Sequence, residues 1–320
     1  MRWGLAALVA AMMAGDALAQ PMGLRAARWL DPNSDRVRAL TIEPTECLLK
    51  PTSAAQRLSV ETGRAAFRTP ILLGGQAARA GVACETCHRN GRTNPDFLFP
   101  GVSGAAGTAD VTSSLFSSHR GNGIEDPKPI PDLSGPRDRL KVSQAPADRA
   151  LEPFIHGLIT QEFDGPEPSP AVLQGLADYV RGLSPSACPK SQTGPVSPHL
   201  LMVDARRAVQ AGDQWVARGD FKTATLMIAA ARSRLYLIDE RYQSPSLSAD
   251  KTMLRSAAHD LARVAEAVRT GAPTARTLMS RWLASTAKLD RRLTANARKS
   301  LFNPRRLEEA SQRPLPREAS

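Results

Sequence analysis

Cys84, Cys87 and His88, within the stretch GVACETCHRNGR at residues 81–92, are the residues whose types and spacing could do chemistry. Two thiols three positions apart with an adjacent imidazole suit a haem tether, part of a zinc site, or a redox dithiol. The same residues can also be ordinary thiols beside a histidine. A zinc site needs one or two further ligands, and the one later cysteine is Cys188. A redox dithiol sits at the start of a helix after a core strand, whereas the residues preceding this pair read AARAG. Covalent attachment of one haem c fits the order best: two thioethers reach the vinyl groups from one turn of chain, and His88 ligates the iron as the proximal residue.

The surrounding chain sets the compartment. Arg2 precedes an apolar run, GLAALVAAMMAG, and then Ala17-Leu18-Ala19, which reads as a secretory leader over residues 1–19 cleaved near Ala19, with the periplasm as destination. The run is too short to span a bilayer. In an oxidising compartment Cys47 and Cys188, which flank the motif, are expected to pair as a disulfide.

The elements that position the motif read as all-α. Residues 20–56 form an irregular extension, 57–188 a haem-bearing unit, 189–198 a linker, 199–300 a helical bundle or pair of hairpins, and 301–320 a disordered tail. A helix is expected over SVETGRAAF with Ser59 as its cap, and another over PAVLQGLADYVRGL. Between Asn90 and Arg149 the chain is rich in Gly, Pro, Ser and Asp, and its few apolar side chains need a partner to cover them, which a macrocycle would supply. Four long stretches, 199–217, 221–240, about 249–269 and about 274–297, are separated by short breaks, the pattern of antiparallel helices. WVARGDFKTA resembles the turn of a tetratricopeptide hairpin, but a period of about 34 residues does not repeat.

GRAAF, CETCHRNGR, the loops through PDLSG, and LEPFIHGLITQEFDGPEPSPAVLQGLADYVRGL together resemble the cytochrome c fold of one domain of the bacterial dihaem cytochrome c peroxidase and MauG group, over residues 57–184. The resemblance implies a compact haem domain with Cys84 and Cys87 as attachment points and His88 as proximal ligand. There is a single motif where that group carries at least two, and no methionine occurs between His88 and Met202. The sixth iron ligand then falls to His156, at about the position of the family's distal methionine, or to His119, or the position is open or water-bound. Arg89, Arg92 and Arg120 suit haem propionates. Glu162, Asp164 and Glu167 read as a solvated turn.

Two strong axial histidines leave no open iron position, so the expected function is electron transfer by an exported monohaem c-type cytochrome. The alternatives are a peroxidase-like haem enzyme and a haem-bearing interaction or sensor protein. The net charge of +11 is concentrated C-terminally: residues 197–320 hold 22 Lys and Arg against 12 Asp and Glu. With dispersed cations, no aromatic interleaving and export from the cytoplasm, a nucleic-acid partner is not expected. An acidic redox protein or an anionic membrane surface fits better.

Overall fold

A computed structural model describes residues 23–112, 115–119, 123–135, 140–188 and 193–312. The leader at 1–19, Arg120 and the first residues of the linker lie outside the described residues.

The extension at 20–56 contains regular structure. Asp35 accepts a hydrogen bond from the Arg38 amide and starts α1 (Arg36–Thr41), which runs into β1 (Ile42–Pro44). The next helix, α2 (Ala54–Phe67), begins several residues before Ser59, because Ser53 accepts from Gln56 N and Ala54-Ala55-Gln56 are good helix formers. After the break at Pro70 come α3 (Gly75–Ala80) and the single turn α4 (Cys84–Cys87). The chain then folds back as a hairpin, with β2 (His88–Arg89) paired to β3 (Arg92–Thr93). Its turn is Asn90-Gly91, both at positive φ (50° and 77°), the combination that tight hairpins select.

The Gly- and Pro-rich stretch carries β4 (Thr108–Ala109) and β5 (Lys128–Pro129), paired antiparallel. Its phenylalanines, Phe97, Phe99 and Phe116, are covered by protein, while Leu115 and Ile124 are exposed. Trp29 stacks on Phe99 with ring centroids 3.8 Å apart, Phe99 meets Phe116 edge-on at 5.0 Å, and Phe116 lies 5.5 Å from Phe163. This aromatic ladder fills the role expected of a macrocycle. Next come α5 (Leu151–Gly157), extended by a π turn over Leu158–Glu162, and α6 (Pro170–Gly182), capped by Ser169. The helices α2 and α6 cross where Gly63 meets Gly175. Cys47 and Cys188 are joined as a disulfide, with Cα atoms 5.1 Å apart. Beside it β6 (Thr193–Pro195) pairs with β1, giving a third two-stranded sheet. The all-α expectation is corrected accordingly: the fold is mainly helical with three small antiparallel sheets among the described residues.

The remaining helices are α7 (Pro198–Ala217), α8 (Phe221–Asp239), α9 (Ser248–Arg269) and α10 (Ala275–Asn296). They share a core that includes Met202, Ile228, Leu261, Met279 and Trp282, as apolar faces at helical period require. Residues 304–311 depart from the expected disordered tail. Asn303 caps α11 (Pro304–Ser311), and Leu307 buries itself with Leu24, Leu40 and Leu301. The two halves are joined by side chains of both: Trp215 donates to Thr62 Oγ1 at 2.8 Å, and Arg234 to Glu85 at 2.9 Å.

Candidate functional site

The CETCHR turn divides two environments. Cys84 and Cys87 are half-buried against the core of Val60, Phe67, Phe97 and Leu151, and both are free thiols. Burial pushes each thiol up to about 12, with Glu85 adding to the effect on Cys84 and Cys84 to that on Cys87. Thiols held protonated in this way are poor nucleophiles and poor metal ligands. Burial also pulls His88 down to about 4, so its imidazole is neutral at physiological pH. His88 Nδ1–H donates to the Pro131 carbonyl at 3.0 Å, which leaves the lone pair on Nε2.

The other expected ligands are not brought to this turn. His156 is half-buried, with Nε2 2.9 Å from Glu167, and His119 is exposed, 3.7 Å from Asp164. Arg92 pairs with Asp132 at 2.6 Å and reaches Cys47 Sγ at 3.6 Å. Arg89 turns to the opposite side of the motif, donating to the carbonyls of Ala39 (2.8 Å) and Ile42 (3.0 Å).

That opposite side is a cleft of about 460 Å³ between the N-terminal segment, the CETCHR turn and helices α7 and α8. Its base is an ionic network around Arg68, which is 5% exposed. Arg68 meets Glu46 and Glu85 at 2.9 Å, and also Asp204 and Asn90. Arg64 meets Glu46 at 2.6 Å, and Tyr179 donates its hydroxyl to the same carboxylate at 2.8 Å. Burial would push Glu46 and Asp204 up, but the surrounding guanidiniums hold both below the ordinary carboxylate range. Burial likewise opposes the charge on Arg68, yet Asp204, Glu46 and Glu85 hold it well above its ordinary value. This part of the site is internally neutralised.

A second part is not. Arg241, 5% exposed, donates to the carbonyls of Leu40 (2.8 Å) and Leu301 (3.2 Å), and its guanidinium lies 4.8 Å from the Phe302 ring centroid. Burial lowers it to about 10, still a cation at neutral pH. Arg89, lowered chiefly by burial, is likewise bonded only to carbonyls among the described residues. Between them Glu43 has no ion pair or hydrogen bond to its carboxylate among the described residues, and burial, reinforced by Glu85, raises its pKa. Trp29, Leu30, Leu200, Leu201 and Leu237 supply an apolar wall to the same cleft. No periodic or motif signal marks Arg68, Glu43 or Arg241 in the sequence. They come from separate segments, and only the Asn-Gly dipeptide after His88 hinted that Arg89 would be turned away from the thiols.

Among the described residues no three His, Cys, Asp or Glu side chains are grouped so as to hold a metal ion. Cys84, Cys87 and His88 face apolar packing and Pro131, while His119 and His156 are engaged by surface carboxylates. Comparison of the chain with family models, with curated proteins and with solved structures finds no match. These findings correct the resemblance to the cytochrome c peroxidase and MauG group, the cytochrome c-like haem domain, the covalent haem c with bis-histidine iron, and the electron-transfer, peroxidase-like and haem-sensor functions drawn from it.

Proposed function

We propose that this protein is a binding protein for a small amphiphilic organic anion, held in the cleft between the CETCHR turn and α7–α8. The observation that carries the reading is the pair Arg89 and Arg241. Arg241 is buried and Arg89 half-buried, each has N–H groups left over after its bonds to main-chain carbonyls, and among the described residues neither makes an ion pair. A guanidinium presents five donors in a fixed fork that matches a carboxylate or phosphate edge. Ligand clefts are commonly apolar with a few convergent polar groups, and a cleft of this size accepts a ligand of drug-like dimensions. The anionic head would meet Arg89 and Arg241 while the body lies along Trp29 and the leucines. A protonated Glu43 would donate a hydrogen bond to the head, and an ionised one would repel it. Export of the chain to the periplasm belongs to the same proposal.

The test follows Trp29 fluorescence during titration with octanoate, benzoate and inorganic phosphate, with octanamide as the neutral control. Saturable binding of a carboxylate but not of octanamide supports the reading. Binding should weaken as pH rises through the raised pKa of Glu43, and Glu43→Gln should remove that pH dependence while retaining affinity. Arg89→Met should cost about tenfold or more, the loss of a charge-assisted bond. Equal binding of octanamide, or no saturable response to any of the anions, overturns it.

A further inference from the structure

The outer face of α10 carries cations that the protein does not neutralise. Arg281, Lys288, Arg291, Arg298 and Lys299 are exposed, and among the described residues none of these side chains makes an ion pair or hydrogen bond. At 3.6 residues per turn Arg281, Lys288 and Arg292 fall in one narrow sector of the helix. Arg298 and Lys299 extend the run into the 3₁₀ turn that follows. The one acid of α10, Asp290, is turned inward and held by His199 at 2.9 Å. Arg292 alone in this sector is paired, to Asp250 at 3.0 Å.

Four exposed cations elsewhere on the bundle are paired: Arg255 with Asp239, Arg263 with Asp260, Arg269 with Glu266, and Arg276 with Asp213. Arg281, Lys288, Arg291, Arg298 and Lys299 thus form a local cluster of unpaired cations on α10 and the turn that follows it. That face is rigid, because Met279, Trp282, Leu289 and Leu293 anchor the opposite side of α10 in the core. It is also long, since from residue 281 to the end of α10 at Asn296 the helical rise amounts to about 22 Å. Between the cations lie Ala284, Ser285, Thr294 and Ala295, all exposed and small. Such a face has no pocket and no aromatic anchor of the kind protein interfaces depend on. A laterally fluid anionic surface needs neither, because its headgroups can gather under a fixed line of charge.

We propose that the outer face of α10 is a peripheral docking surface for a bilayer rich in anionic phospholipid headgroups. Attachment is electrostatic, without insertion of apolar side chains, and so weakens with salt as screening shortens to about 8 Å at physiological ionic strength. The test is sedimentation of the purified protein with phosphatidylcholine vesicles, with and without phosphatidylglycerol. Binding is expected to require phosphatidylglycerol and to fall as salt is raised. The combined variant Arg281→Gln, Lys288→Gln, Arg291→Gln should bind about a hundredfold more weakly. A matched variant of paired cations, Arg263→Gln with Arg269→Gln, should bind within about twofold of the parent, as exposed ion pairs are nearly neutral. Equal binding to pure phosphatidylcholine, no binding to phosphatidylglycerol, or an unaffected triple variant overturns the proposal. If the protein ignores the vesicles but binds polyglutamate through the same three residues, the surface is one for an acidic protein instead.

Discussion

Gly63 and Gly175 meet at the crossing of α2 and α6 so closely that a Cβ placed on Gly63 would lie 1.8 Å from the Gly175 carbonyl oxygen. The opposing atoms are backbone, which cannot move aside as a side-chain tip can. The crossing sets the position of Phe67 and Arg68 at one end of α2, and of Tyr179 on α6, hence the geometry of the ionic network beneath the cleft.

Gly63→Ala should therefore destabilise the protein by about 3 kcal/mol, in the upper part of the range for overpacking. Gly175→Ala, whose Cβ would meet Ser59 O at 2.7 Å and Gly63 N at 2.8 Å, should cost somewhat less. An isolated helix would instead gain about 1 kcal/mol from either change. Urea denaturation of both variants checks the sign, and a stabilised Gly63→Ala protein would contradict the close crossing.

Removing Arg68 should be more costly than removing any one acid around it. It leaves Glu46, Glu85 and Asp204 without their shared cation, and breaking a buried ionic cluster in this way typically costs about 3–5 kcal/mol. Glu46 and Asp204 have folded-state pKa values below their unfolded ones. Their contribution is thus present above the ordinary carboxylate range and is lost as pH falls through the depressed folded-state values. Denaturation midpoints measured from neutral to acid pH should fall for the parent protein, and fall less for Arg68→Met, in which the depression is reduced.

The burial of Cys84 and Cys87 should be visible in their chemistry. With both thiols raised to about 12, iodoacetamide at mildly alkaline pH should modify them far more slowly in the native protein than in guanidinium chloride. Intact mass after each treatment is the readout. Fast native alkylation would contradict the packing, and failure to alkylate the unfolded chain would show that the sulfurs are already bonded.

Much of the helical framework was legible in the sequence because it depends on local chemistry. Apolar residues at helical period and the breaks at Arg218-Gly219-Asp220 and Thr270–Pro273 located α7 to α10 within a residue or two, and Pro170 marked the start of α6. The flanking positions of Cys47 and Cys188 likewise pointed to the disulfide that closes the first half. Local patterns also misled. Cys84-Glu85-Thr86-Cys87-His88 suggested haem attachment with His88 as one axial ligand, whereas the second ligand depended on where His119 and His156 would be carried by distant loops. Tertiary structure places them beside Asp164 and Glu167. The apolar residues of the Gly- and Pro-rich stretch lack any period, so their partners Trp29 and Phe163 became evident only in the folded chain. The cleft is the strongest case: Glu43, Arg89 and Arg241 come from three separate segments, and their meeting along one cleft arises from packing that no local pattern encodes.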